Sequence, residues 1–191
     1  MPRRAGGHAA RRCAAAREGL DYDRVCPQVL RRNFQGRVLH ESWFLKVDGI
    51  KGESVDEKHK GEIEIESFSW GLKTGAADGR SMRGRACVSE IAFTKRADAA
   101  SPLLLANAAS GMNIPKAILI GRRSGGDQQD FFKIELSNIL VSSVAHSGST
   151  ELVQEAFELR FAKAQVVYTP QDPEGKPGSA VSATVQVPTC N

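Results

Sequence analysis

Hydrophobic and polar residues alternate along most of this chain from Trp43 onward, in short stretches broken by glycine. In Trp43-Phe44-Leu45-Lys46-Val47, the residues Trp43, Leu45 and Val47 share one parity and predict a first strand, followed by a polar loop from Lys51 to Lys60. In Glu62-Ile63-Glu64-Ile65-Glu66 the isoleucines point to one face and the glutamates to water. The alternation then changes phase, because Phe68 and Trp70 fall on the parity of the glutamates, so a bulge or bend is expected near Ser67. A strand that buries first one parity and then the other suits a barrel or a two-sheet sandwich.

A glycine-rich stretch, Gly71 to Arg85, comes next and reads as a long loop, followed by a strand from Ala86 to Lys95 with Cys87, Ile91 and Phe93 in phase. One helix is expected from Pro102 to Ser110, with Ser101 as its N-cap, Pro102 in the first turn and Gly111 as a left-handed cap. Strands are then predicted at Lys116–Arg122, Asp130 to about Val144, and Thr150–Tyr168, with turns at Ser124–Asp127 and Ser147–Ser149 and a last strand at Val181–Val187. The stretch from Thr150 to Tyr168 changes parity between Phe161 and Ala162, which predicts a passage from one sheet to a second. The fold class is therefore mainly β, a two-sheet β-barrel with one flanking α-helix.

Charge divides the chain in two. Residues 1–41 hold nine Arg and four acids, net +5, which leaves 17 basic and 18 acidic residues after them, net −1. The basic pI of about 9.0 thus belongs to the leader and argues for no nucleic-acid partner. The leader, residues 1–41, reads as a disordered basic tail, the product of a misplaced start, or a functional arm; residues 42–191 read as one domain. No run of about 18 apolar residues predicts a membrane helix, and no apolar segment of a signal peptide follows the Arg pairs.

The sequence holds no recognisable catalytic set, cofactor motif or metal motif. Glu62, Glu64 and Glu66 read as a solvated row, and Gly79-Arg80-Ser81-Met82-Arg83-Gly84 misses the GxSxG spacing of a nucleophile turn. His8, His40, His59 and His146 are scattered and read as surface residues. Cys13, Cys26, Cys87 and Cys190 have neither CxxC nor regular spacing, so no disulfide framework is expected, and Cys87 reads as a small core residue. Arg80, Arg83 and Arg85 have no aromatic among them, which favours contact with acidic protein surface over nucleic acid.

Several phrases, in order, resemble the Hcp proteins, tube subunits of the bacterial type VI secretion system. They are Phe44-Leu45-Lys46 with Asp48-Gly49-Ile50-Lys51-Gly52-Glu53-Ser54, Ser67-Phe68-Ser69-Trp70-Gly71, Phe93-Thr94-Lys95 with Ser101-Pro102, Leu140-Val141-Ser142-Ser143, Ser147-Gly148-Ser149, and Phe161-Ala162-Lys163 leading to Tyr168-Thr169-Pro170-Gln171. The resemblance spans about Trp43 to Gly175 and implies a structural, non-enzymatic subunit that forms homo-hexameric rings stacked into a tube. It further implies sheath and tip-spike partners, effector proteins in the lumen, no membrane insertion, and folding in the cytoplasm before secretion without a signal peptide. By the same resemblance the Gly71–Arg85 loop reaches a neighbouring ring, with Arg80, Met82, Arg83 and Arg85 as its contacts. The alternatives are a monomeric β-barrel ligand-binding protein or enzyme, and a phage-type tail tube subunit.

Overall fold

The computed structural model describes residues 41–74, 86–123, 128–172 and 176–186, which lie in one compact unit. The first strand, β1 (Glu41–Val47), turns Leu45 and Val47 into the core as its alternation predicts. Strand β2 (Ile63–Ile65) lies antiparallel to it, with Trp43 opposite Ile65 and Leu45 opposite Ile63. Strand β3 (Ser67–Ser69) then leaves β1 and pairs instead with β6 (Ile91–Arg96), Ser67 opposite Thr94. The phase change expected near Ser67 is this change of neighbour, and it falls at Glu66, whose N–H donates to the Thr94 carbonyl at 2.9 Å.

With β7 (Ile114–Arg123), β8 (Asp130–Gly148) and β9 (Val153–Tyr168), the sheet runs in the order β2-β1-β7-β8-β9-β6-β3. Its two terminal strands are consecutive in the chain, so the sheet curls into a nearly closed barrel. The core inside is continuous, from Leu45, Ile63 and Leu119 to Leu136, Phe157 and Leu159. Phe93 stacks on Phe157 with ring centres 5.0 Å apart, and Trp43 meets Phe68 edge-on at 4.8 Å. Each such side chain contributes about 1.5–3 kcal/mol by leaving water.

The expected strand Ala86–Lys95 is two strands. Strand β5 (Ala86–Val88) forms a separate hairpin with β4 (Leu72–Thr74), and the ladder breaks at Ser89-Glu90 before β6 begins. The cause is visible in burial: Val88 is buried, one residue out of phase with Ile91 and Phe93, so the chain must step by one between them. Cys87 does lie on a strand but is only half-buried, not the small core residue expected, and it is disulfide-bonded where no disulfide was expected.

Helix α1 (Ser101–Ser110) is the single helix among the described residues, one residue longer than predicted. Its N-cap is Ala100, which offers no side-chain cap. Ser101 serves one position later: its Oγ accepts the Asp98 N–H at 3.1 Å while Asp98 Oδ1 accepts the Ala100 N–H at 3.0 Å. Gly111 closes the helix at φ 62°, as predicted, donating to the Asn107 carbonyl. Leu104 is the helix residue driven fully into the core.

Strand β9 stays one strand where a passage between sheets was expected. Burial does change parity, from Phe157, Leu159 and Phe161 to Ala164. The bend is made within the β8–β9 ladder, where Ser137 opposes Lys163 and Ile139 opposes Phe161; between them lies Asn138, a non-glycine residue at φ 53°. What changes is the outer neighbour of β9, which is β6 along Gln154–Leu159 and β10 (Val181–Val185) along Ala164–Tyr168.

Loop 51–60 is pinned to this frame by backbone bonds from Gly52 to the Gly61 carbonyl, Ser54 to Glu62 and Gly61 to Ser54. A Cβ on Gly52 would lie 2.5 Å from the Glu62 carbonyl oxygen and 2.7 Å from Ile63 Cα, both backbone atoms that cannot turn aside. Gly52→Ala is therefore expected to lower stability by about 1–3 kcal/mol. Gly71→Ala, whose Cβ meets nothing within 4 Å, serves as the control and should leave the urea midpoint nearly unchanged; equal shifts in the two variants would refute the packing argument.

Candidate assembly surfaces

The residues singled out for ring stacking, Arg80, Met82, Arg83 and Arg85, lie outside the described residues. What is described is the two-stranded stem that flanks them in the chain. In it Leu72 opposes Val88, Lys73 opposes Cys87 and Thr74 opposes Ala86. The base is closed by Ser89, whose N–H donates to the Gly71 carbonyl at 2.9 Å and whose Oγ accepts the Gly71 N–H at 3.0 Å. All three β4 residues are exposed, and Val88 is the stem residue that enters the core. The stem thus stands off the barrel on a narrow footing. Trp70 sits beneath it, edge-on to Phe161 with ring centres 5.8 Å apart and with its indole N–H buried and unpaired.

An ion pair ties that footing to the barrel wall. Glu90, directly after the stem, takes a double hydrogen bond from Arg160 on β9, at 2.8 Å from Nε and 2.6 Å from Nη2, and another from the Ser142 hydroxyl on β8. Desolvation pushes the Glu90 carboxyl up, but Ser142 and Arg160 together outweigh it and hold the group below its ordinary value.

Loop 51–60 carries two further links that its polar sequence did not suggest. His59 is buried rather than on the surface. It stacks on Phe44 at 4.5 Å, with Nδ1 2.9 Å from Glu62 and Nε2 3.2 Å from Asp130. Asp56 pairs with buried Arg122, which also donates to Gln128 Oε1 at 2.8 Å. Burial raises the Asp56 carboxyl, yet the backbone N–H groups of Lys58 and His59 and the charge of Arg122 bring it below its usual range. The glutamate row is correspondingly less uniform than a solvated face. Glu62 is taken up by His59, while Glu66 is held low, first by Gln154 and then by Arg96. Glu64 lines an open groove of about 540 Å³ with Glu53, Arg96 and Asp98.

The most deeply buried charges join three strands to the helix. Lys95 on β6 is fully buried, its Nζ 2.6 Å from Asp98 Oδ1, 2.9 Å from Ser101 Oγ and 3.0 Å from the Arg96 carbonyl. Glu155 on β9, also fully buried, lies 3.6 Å from Lys95 and 2.8 Å from Nε2 of His146 on β8. Neither contact is a hydrogen bond, so the two Glu155 oxygens are buried with ion-pair neighbours and no hydrogen-bond donor. Residue pattern could have found this pair: Lys95 falls in phase with Ile91 and Phe93, and Glu155 with Phe157 and Leu159, so both had to point inward.

These charged groups are engaged with one another and with neighbouring hydroxyls and carbonyls. Among the described residues no three metal-ligating side chains converge, and no helix is long and apolar enough to cross a membrane.

Comparison with known proteins agrees with this architecture. A family model described as type VI secretion system effector, Hcp, matches residues 44–168. The protein Hcp1 of Pseudomonas aeruginosa is 37% identical over 138 residues, covering 69% of this chain and 85% of that protein. The crystal structure of Hcp1 from Salmonella typhimurium superposes with a TM-score of 0.63 at 35% identity, over 76% of this chain and 94% of that one. A second structure, of a type six secretion system protein, gives a TM-score of 0.69 at 30% identity, over 74% and 92%.

Two measurements test the buried charges and the paired carboxylates. Lys95→Met strands Glu155 and Asp98 and is expected to cost about 3–5 kcal/mol in urea unfolding. Adding Glu155→Leu should recover part of that loss, whereas additive losses would show that the two groups do not interact. Asp56, Glu66, Glu90 and Glu135 all have carboxyls below their ordinary values. A depressed folded-state value stabilises fully above the unfolded value near 4 and is lost as pH falls through the folded one. Stability should accordingly be flat from neutrality to about pH 5 and drop below about pH 4, less steeply in Glu90→Gln; an identical slope in that variant counts against the Glu90 link.

Proposed function

The chain belongs to the Hcp family, the tube subunits of the bacterial type VI secretion system, and on that premise we propose that six copies close into a ring and that the rings stack into a hollow tube carrying effector proteins. The family match over residues 44–168, seated on a barrel that covers the same stretch, carries this reading. The family is one of structural, secreted tube proteins, and the ion-paired surfaces described above suit a subunit that holds shape better than one that turns over a substrate.

In this reading the tube folds in the cytoplasm, lies within a sheath beneath a spike, and leaves the cell with the spike and cargo. Tube building falls to residues 42–191, outside the basic leader. Stacking falls to the segment carried by the β4–β5 stem, with Arg80, Met82, Arg83 and Arg85 touching the next ring. The stem supports that assignment, since all three β4 residues are exposed and its base is locked by Ser89 and Glu90.

Native mass spectrometry or light scattering of the full chain is expected to give six copies, and a monomer at high concentration would favour the ligand-carrier alternative. Deleting Gly75–Gly84 should leave six-membered rings that no longer form tubes under the electron microscope. Tubes unaltered by the deletion would remove the stacking role from this segment.

A further inference from the structure

Strand β10 is held in the sheet from one side. It pairs with β9, Val181 opposite Tyr168 through Val185 opposite Ala164, and its other edge meets no strand among the described residues. From Val181 to Thr184 both of its faces are exposed as well; Val181 is 68% exposed and Tyr168, across from it, 41%. Such a strand gives up its backbone freedom for one row of hydrogen bonds, and its open edge is a template for another chain.

Strand β8 presents a second open run. Its pairing with β7 ends at Ile139, opposite Ile114, but β8 continues to Gly148 with β9 as its strand partner. Helix α1 packs beside β8 without taking any of its backbone groups. Exposed edges are usually blunted by Lys or other charges. Neither 181–185 nor 140–148 contains Asp, Glu, Lys or Arg, in a chain where those four make up 25% of residues. Neither run would therefore desolvate an Asp, Glu, Lys or Arg charge on meeting the other; His146, the one ionisable side chain in them, is turned to Glu155 at 2.8 Å, and small side chains such as Ser182, Ala183, Ser143 and Ala145 let two backbones approach.

We propose that β10 of one copy adds as a strand to the Leu140–Gly148 edge of β8 in the next copy, so that the sheet continues from subunit to subunit. A closed ring requires two different, complementary surfaces on every subunit, and these edges supply them. The inference rests on the ring reading above and names the surfaces that join the ring.

The test compares the native mass of the full-length wild type with Ala183→Lys, Ser143→Lys and the double variant Ala183→Lys/Ser143→Glu. Each lysine alone should lose the six-copy mass, with at least about tenfold more protein needed to assemble and an unchanged circular dichroism spectrum; the Lys/Glu chain should regain the ring. If Ala183→Lys fails to fold, Thr184→Lys takes its place. Six-copy rings that persist in either lysine variant, or folded lysine variants that the Glu partner does not rescue, overturn the edge pairing while leaving the ring reading intact. A wild type that stays monomeric overturns both.

Discussion

The sheet path begins on β2 and finishes on β3, and in the chain these two strands are separated by Glu66 alone. A segment of one residue cannot let the two ends of the sheet part, so closure is imposed by covalent connection before any side chain contributes. The consequences spread outward from there. With the ends joined, β1, β7, β8, β9 and β6 must curve between them, and the apolar parity of each faces a shared interior that includes Leu45, Leu119, Leu136, Phe93 and Leu159. The bond from the Glu66 N–H to the Thr94 carbonyl fixes the turn, and the Glu66 side chain fastens it again through Arg96 and Gln154.

Charge is used inside the frame as well as on it. Lys95 and Glu155 occupy positions where a hydrophobic pair would pack more cheaply, because burying an ion pair seldom gains net stability over apolar residues. Their effect is one of placement: Lys95 gathers Asp98 and Ser101, which set the start of α1, and Glu155 draws in His146 from β8. A helix with no side-chain cap of its own and a strand hairpin extending past its neighbour are thereby referred to the same point. His59 does similar work beside β1, adding Phe44, Glu62 and Asp130 to the backbone bonds and the Asp56–Arg122 pair that already pin loop 51–60.

Much of the barrel could be read from alternation, since Ile63 and Ile65, Ile91 and Phe93, and Phe157, Leu159 and Phe161 each commit a parity to the interior, and one face of a strand cannot choose otherwise. Even the break at Glu66 was legible, as a phase change. Pairing partners were not, because two strands with the same parity pattern can join in any order that loop lengths permit. Thus the split at Ser89-Glu90 and the shared length of β9 emerged with the structure. The buried ionic links were legible only in half: Lys95 and Glu155 announce themselves by phase, while His59, Asp130, Asp56 and Arg122 lie in or beside irregular segments that have no phase to violate. The segment proposed for stacking, conversely, is legible only through family likeness, and only its stem is described.

The β8–β9 hairpin holds 15 registered pairs, whereas the β4–β5 stem holds three. The difference is mechanical. Strands pulled past each other along their length must break their rungs together, but a short hairpin drawn open from one end loses them singly. A load applied along β8 and β9 is therefore borne by the whole ladder at once, and the same load reaching the subunit through β4 and β5 would peel that stem long before the wall yields. In a filament driven from one end, the barrel wall would pass the load on as a unit, and any contact made through a three-rung stem would be the first to yield.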